Sequence, residues 1–497
     1  MGIEYISTRN KQERASASTA ILQGLAPDGG LYVPSEIPKL DRSMAELARM
    51  SYGDIAYEVM KLFFTDFSEE ELRGCIARAY DEKFDDPAIV PLRQADGAYF
   101  MELFHGKTIA FKDMALSILP HLMTTAAAKN GVKDEIVILT ATSGDTGKAA
   151  LAGFANVEGT RIVVFYPKDG VSDIQEKQMI TQEGDNTFVV GIRGNFDEAQ
   201  TGVKQMFADK ELAKKLEKKH FRFSSANSIN IGRLVPQVVY YVASYAKLFA
   251  EGELQEGEAV NIVVPTGNFG NILAAYFAKR MGLPVAKLIC ASNENKVLFD
   301  FFETGVYDRN REFILTSSPS MDILISSNLE RLIYLIAGED DAVNRQMMED
   351  LSAKGRYEIS ADMKARLSDF CGGYASEEDT FAAIRRLYEK ESYIIDTHTA
   401  VAAAVYDKYR SESSDSVKTL IASTASPYKF TRAVMRAIGR EDPTKTDLQL
   451  VDDLHTLSQV KVPPAIEEIR SAPVRHNRVC EVEQMKSEVE RFLELDS

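Results

Sequence analysis

The sequence predicts an α/β fold in which parallel sheets are covered on both faces by helices. Three observations lead there. Short runs rich in Val, Ile and Leu recur at Ile136-Val-Ile-Leu-Thr140, Arg161-Ile-Val-Val-Phe-Tyr166, Thr187-Phe-Val-Val-Gly191, Ile262-Val-Val264 and Val417-Lys-Thr-Leu-Ile-Ala-Ser423. Most are continuously apolar rather than alternating, as strands buried on both faces must be. Several lead through a turn into an amphipathic helix, the pattern of strand-helix-strand crossovers. With 497 residues the chain exceeds what one core can hold and should divide into several domains.

Residues 1–95 read as an N-terminal domain, with turn signals at Pro27-Asp-Gly-Gly30 and Pro34 and helices around Ser43–Met60 and Ser68–Tyr80. Asp85-Asp-Pro87 and Pro91 then break the helical pattern. Residues 96–240 form a first α/β domain, with Lys112 expected in the first turn of a helix carrying Met114, Ala115, Ile118 and Leu119. Helices are expected from Lys148, from the capping box Ser172-Asp-Ile-Gln175 and after Asn195. Residues 241–465 form a second α/β domain, with a helix from Asn271 and a charged helical insertion at about 304–392. Residues 466–497 are expected as a helical tail, ending in an acidic amphipathic helix from Glu481 to Leu495.

The formal net charge of -16 and pI near 5.1 oppose a nucleic-acid partner, because phosphate backbones are bound by basic patches. Lys214-Lys-Leu-Glu-Lys-Lys219 is interrupted by acid and reads as a solvated helix face. Cys75, Cys290, Cys371 and Cys480 are far apart without a Cys-x-x-Cys pair, so reduced thiols are expected. The six histidines form no His-Glu-x-x-His motif and no metal is expected. No run resembles a secretory signal or a bilayer span, which leads to the expectation of a cytoplasmic protein with no membrane partner. Met1-Gly2 lacks the Ser or Thr that myristoylation wants at the sixth position, where Ile6 stands.

Chemistry centres on Phe104-His-Gly-Lys-Thr-Ile-Ala-Phe-Lys-Asp113. A lysine amine attacks a carbonyl only when neutral, and burial beside Phe111 at a helix N-terminus would lower the pKa of Lys112. Lys112 is therefore a candidate Schiff-base lysine, although a Phe-Lys-Asp triplet equally suits a lysine reaching solvent from a helix end. Three stretches accompany it: Thr140-Ala-Thr-Ser-Gly-Asp-Thr-Gly147, Val264-Pro-Thr-Gly-Asn-Phe-Gly-Asn271 and Ser423-Thr-Ala-Ser-Pro-Tyr-Lys-Phe430. The glycine loop Thr266–Asn271 follows a strand and opens a helix, where amides and the helix dipole can hold a phosphate dianion; a ligand-free tight turn would use the same residues. Ser143-Gly-Asp-Thr-Gly147 is no nucleotide loop despite Lys148, because its glycines are too close and Ala149 stands where Ser or Thr binds magnesium.

Taken in this order, the four stretches resemble threonine synthases, enzymes of fold type II that use pyridoxal 5'-phosphate. The likeness runs from Tyr5-Ile-Ser-Thr-Arg9 and Gly24-Leu-Ala-Pro-Asp-Gly-Gly-Leu-Tyr32 to the block at Pro427. It implies that Lys112 carries the cofactor, that Gly267, Asn268, Phe269, Gly270 and Asn271 hold its phosphate, and that Thr424 hydrogen-bonds its pyridine nitrogen. It also implies a substrate-carboxylate loop of Thr142, Ser143, Asp145 and Thr146, and a substrate-phosphate site of Asn227, Ser228 and Arg233. Hydrogen-bonded helix starts would account for both of the latter groups equally well. Lys107 and His398 are left without a role. The resemblance implies conversion of O-phospho-L-homoserine and water to L-threonine and phosphate by a monomer or homodimer. A phospho-lyase on the same scaffold and a non-catalytic cofactor-binding paralogue are the alternatives.

Overall fold

The computed structural model describes residues 2–142 and 144–495. Two large sheets organise it. The first has five strands, all parallel, in the order Arg478–Glu481, Thr187–Arg193, Thr160–Pro167, Glu135–Ala141, Phe221–Ser224. The second has six, in the order Phe370–Tyr374, Val285–Ser292, Val260–Pro265, Thr419–Ser423, Ala98–Glu102, Leu92–Ala95. Its strands are parallel except for the hairpin formed by the last two. Ile136, Val137, Ile138 and Leu139 are all buried, as are Ile262, Val263 and Val264, which places helices on both faces of each sheet.

The twenty-residue helix Ile231–Ala250, about 30 Å long, packs against Tyr52–Phe63, Gly270–Met281 and the short helix after Lys112. A small antiparallel sheet of Asn10–Ala15, Tyr5–Ser7 and Tyr32–Pro34 lies at the N-terminus. Arg9 pairs with buried Glu330 at 2.7 Å, and the buried Arg331 donates to Tyr32 O at 2.8 Å, so this sheet braces the helix Leu329–Ile336.

The capping boxes form at Ser172 and at Asn195, opening Asp173–Ile180 and Phe196–Ala208. Ser51 splits the first expected helix into Met44–Leu47 and Tyr52–Phe63 by capping the second, with Asp54 N donating to its hydroxyl at 3.2 Å.

Sheet membership does not follow the linear segments read from the sequence. Leu92–Ala95 and Ala98–Glu102 join strands from beyond residue 260, because Ala98–Glu102 lies beside Thr419–Ser423. The last segment is not purely helical: Arg478–Glu481 extends the first sheet and the final helix is confined to Met485–Phe492.

Residues 304–392 carry helices at Leu329–Ile336, Asp341–Lys354 and Glu377–Glu391 but also an antiparallel pair, Val306–Asp308 with Arg356–Glu358, and they return Phe370–Tyr374 to the edge of the second sheet. That strand, Phe-Cys-Gly-Gly-Tyr, has no β-branched residue and two glycines, so it carries no strand signal. Its Gly373 is dictated by packing, since a Cβ there would come within 2.4 Å of Val405 on the covering helix Thr397–Ser413.

No helix among the described residues is long and apolar enough to cross a membrane. Among the described residues no cluster of His, Cys, Asp and Glu could hold a metal.

Candidate active site

The lysine-bearing segment is clamped by the loop that follows Thr419–Ser423. Phe111 N donates to Thr424 O at 2.8 Å and Ser426 N to Ile109 O at 3.0 Å. Lys112 is the N-cap of the helix Asp113–Leu116, one residue earlier than expected, and its carbonyl accepts from Leu116 N at 2.9 Å. Its amine donates to Ser320 Oγ at 3.1 Å and Asp145 Oδ2 at 3.3 Å, and lies 5.7 Å from the Phe111 ring centre.

Burial lowers the Lys112 pKa; Asp145 offsets part of that, while Lys429 and Arg233 add to it. The expected direction holds, with desolvation as the leading cause. The neighbouring Asp113 is buried and accepts from Thr108 N at 2.8 Å and Thr108 Oγ1 at 2.6 Å. A Cβ at Gly106 would strike it at 2.6 Å, so the glycine in Phe104-His-Gly is required for this turn to close.

Asp145 opens the helix Asp145–Phe154 and is buried. Its Oδ1 accepts from Gln175 Nε2 at 2.9 Å and pairs with Lys429 Nζ at 3.2 Å; its Oδ2 accepts from Ser320 Oγ at 2.9 Å and from Lys112. Burial alone would raise this carboxyl, but Lys429 and Lys112 hold it well below the usual carboxylate range. A substrate carboxylate placed on Asp145 would meet its negative charge, and the structure sets this carboxylate against the Lys112 amine instead.

Thr142 Oγ1 accepts from Gly144 N at 3.0 Å and Gly147 N at 2.9 Å, closing the helix entry. Thr146 is half-buried in the first turn, and Ser143 lies outside the described residues.

In the glycine loop, Phe269 has a left-handed backbone with φ 64 and the helix Gly270–Met281 begins without a side-chain cap. A Cβ at Gly267 would come within 2.7 Å of Ser320 O, which fixes this loop beside the turn that touches Lys112. Asn328 Nδ2 donates to Asn268 O at 3.0 Å and to Ser228 O at 3.3 Å, tying the glycine loop to the Ser225–Arg233 stretch. Asn271 Oδ1 accepts from Tyr240 OH at 2.7 Å and from Tyr241 OH, while its Nδ2 has no partner among the described residues.

Arg233 is buried, donates from Nη1 to Ala226 O at 3.0 Å, and leaves Nε without a partner among the described residues. No carboxylate neutralises it in the described part of the chain, and burial pushes it down to about 10. Asn227 is exposed, with its backbone N–H on Ser225 Oγ. Thr424 is buried and donates from its backbone to Thr399 Oγ1 at 3.2 Å.

Three residues at this centre escape sequence reasoning. Ser320 is the middle residue of the 3-10 turn Pro319–Met321, which is too short for any periodicity to announce it. Its backbone N–H donates to His398 Nε2 at 3.2 Å, and His398 Nδ1 bonds Asp396 Oδ2 at 2.8 Å, which gives the histidine a place beside the site. Lys429 carried a usable signal, a lysine enclosed between Tyr428 and Phe430 within a motif already singled out. Asn328 carried none.

Residues 4–80 match the family described as threonine synthase N terminus, 88–425 the pyridoxal-phosphate dependent enzyme family, and 399–492 the threonine synthase C-terminal family. Threonine synthase of Schizosaccharomyces pombe is 38% identical over 468 residues, spanning 88% of this chain and 89% of that protein. The chain belongs to the threonine synthase family.

Within that family, the structure of PLP-bound threonine synthase from Brucella melitensis superposes with a TM-score of 0.85 at 36% identity, covering 99% of each chain. Threonine synthase-like 1 of Pongo abelii is 38% identical over 516 residues, covering 99% of this chain and 68% of that protein. The residues present fit the cofactor of a pyridoxal-phosphate dependent enzyme. The enclosed Lys112 amine touches Ser320, whose carbonyl packs on Gly267, and that glycine loop opens a helix start with no side-chain cap and an unpartnered amide donor at Asn271.

Proposed function

We propose that this protein is a threonine synthase that converts O-phospho-L-homoserine and water to L-threonine and phosphate with pyridoxal 5'-phosphate. The observation that carries the proposal is the enclosed Lys112 amine, which sits among Asp145, Ser320 and the glycine loop, near an uncompensated Arg233. The cofactor, when bound, supplies a ring that delocalises negative charge from the substrate carbons.

Lys112 would hold that cofactor through its amine. The amides of Gly267, Asn268, Phe269, Gly270 and Asn271 would hold its phosphate, and the Thr424 hydroxyl its ring nitrogen. Arg233, with Ser228 and Asn227, binds the substrate phosphate, the guanidinium giving a charge-assisted contact. Thr142, Ser143 and Thr146 bind the substrate carboxylate through hydroxyls and the helix start, and Asp145 orients Lys112.

Once its amine is free, Lys112 takes the proton from the substrate α carbon and handles a second at the β carbon. General acid–base work of this kind is worth roughly 10² to 10⁴ in rate. Ser320 and Asp145 keep the amine aimed through that cycle. The protein acts on a small molecule, in the cytoplasm, as a monomer or homodimer.

Borohydride reduction of the cofactor-loaded protein followed by peptide mass spectrometry should find the pyridoxyl label on Lys112. Lys112→Ala should fold and lose turnover; full turnover in that variant would remove the assignment. The likeness to threonine synthase-like 1 keeps two alternatives open to test, a phospho-lyase on the same scaffold and a non-catalytic cofactor-binding paralogue, the latter giving no turnover at all. Mainly 2-oxobutanoate rather than threonine from O-phospho-L-homoserine would select the lyase.

A further inference from the structure

Lys429 lies in the 3-10 turn Pro427–Phe430, and its side chain is 0% exposed. Its amine reaches Thr108 O at 2.8 Å, Asp145 Oδ1 at 3.2 Å and Gln178 Oε1 at 3.4 Å. Asp145 therefore stands between two lysines, Lys429 on one oxygen and Lys112 on the other.

The two lysines are placed differently. Lys112 keeps 11% side-chain exposure and shares its carboxylate oxygen with the Ser320 hydroxyl, so it can exchange a proton with water. Lys429 is sealed on every side and held by three acceptors from three different segments.

A buried carboxylate whose sole cation is an attacking amine works against that amine. When the amine gives its proton to water, the carboxylate is stranded in a low-dielectric interior, and removing one partner of such a pair is strongly unfavourable. A second lysine on the other oxygen of Asp145 removes that obstacle.

We propose that Lys429 is a positioning residue of this reaction, the standing counter-ion of Asp145 that lets Lys112 work as a neutral amine. The proposal rests on the assignment of Lys112 made above. The charged groups facing Lys112 are Asp145, Lys429 and Arg233; Asp145 is also faced by His398, and Lys429 has Asp113 and Lys148 near it.

The experiment uses the full-length chain freed of cofactor. Trace labelling with acetic anhydride across a pH series, read at Lys112 by peptide mass spectrometry, gives the midpoint at which that amine becomes reactive. Opposite or like charges at such distances move an amine by about one to three pH units. Lys429→Met should raise the Lys112 midpoint by about one unit or more, a loss of roughly tenfold in neutral amine at a given pH.

If the loss of the Lys429 side chain prevents Lys429→Met from folding, Lys429→Gln, which removes the charge and keeps a hydrogen-bond donor for the same acceptors, takes its place and should raise the Lys112 midpoint in the same direction. A cross-link holding three segments together would leave the midpoint where it was. An unchanged Lys112 midpoint in whichever of these variants folds overturns the proposal. Failure of the Lys112 assignment would show separately, as a pyridoxyl label on another residue after reduction.

Discussion

Replacing Arg233 with methionine should make the ligand-free protein more stable and the enzyme worse. Burial without a carboxylate brings this guanidinium from its ordinary value to about 10. At 1.36 kcal/mol per decade, that corresponds to about 3 kcal/mol spent on keeping a cation in place before any anion arrives. Methionine preserves most of the packing that a shorter side chain would lose. It gives up the 3.0 Å bond to Ala226 O, which costs about 1 kcal/mol.

The net expectation is a gain of roughly 2 kcal/mol, in line with buried charges that apolar residues replace without loss. In catalysis the balance reverses. A charge-assisted bond to phosphate is worth about 1.5–3 kcal/mol, so kcat/KM should fall about 10- to 150-fold. Thermal unfolding with and without inorganic phosphate, alongside steady-state phosphate release, measures both sides. Phosphate should stabilise the parent and not the variant. An Arg233→Met protein that melts below the parent and keeps its kcat/KM would refute the reasoning.

Hydrogen bonds to Asp85 at 2.6 Å and Glu102 at 3.1 Å outweigh desolvation and raise His105 to about 9. Because the folded value exceeds the unfolded one, this stabilisation is complete below about pH 6.5 and disappears as pH rises through about 9. Its ceiling is about 3 kcal/mol. The difference in urea midpoint between parent and His105→Gln should therefore shrink to near zero between pH 6 and pH 9.5; a constant difference would count against it. Ser320→Ala removes the hydroxyl shared by Lys112 and Asp145 and should lower kcat about tenfold, the worth of one charged hydrogen bond. An unaltered kcat would show that the hydroxyl does not steer the amine. Gly373→Ala drives a methyl into Val405 and should cost about 1–3 kcal/mol by thermal melt, with catalysis intact in the folded fraction. A melt equal to the parent's would mean that the strand and helix can separate freely.

The parallel architecture was legible because strands covered on both faces must be apolar along their whole length, as Ile136–Leu139 and Ile262–Val264 are. Phe370–Tyr374 was not legible, because its glycines answer to Val405 on a helix rather than to strand propensity. At the site, Lys112 and the glycine loop were singled out from local chemistry, whereas Thr424 was singled out only through the resemblance. Asp145 was assigned to the substrate-carboxylate loop through the resemblance, and its two lysine partners are not visible in sequence. Ser320 is 208 residues from Lys112 and lies in a three-residue 3-10 turn, so neither periodicity nor spacing points to it. Long-range hydrogen bonds of this kind are products of the completed fold.

One strand of the second sheet bears on how the chain is made. Ala98–Glu102 has its hairpin partner Leu92–Ala95 just before it in the chain, yet its other edge pairs with Thr419–Ser423. At about 5–20 residues per second, the ribosome needs roughly 15–60 s to supply that neighbour. Through that interval the nascent polypeptide carries an open, apolar strand edge, the kind of template on which intermolecular pairing starts. Production in a heterologous host should therefore respond to holdase chaperones and to slower growth temperature more than to changes at the mature protein's surface.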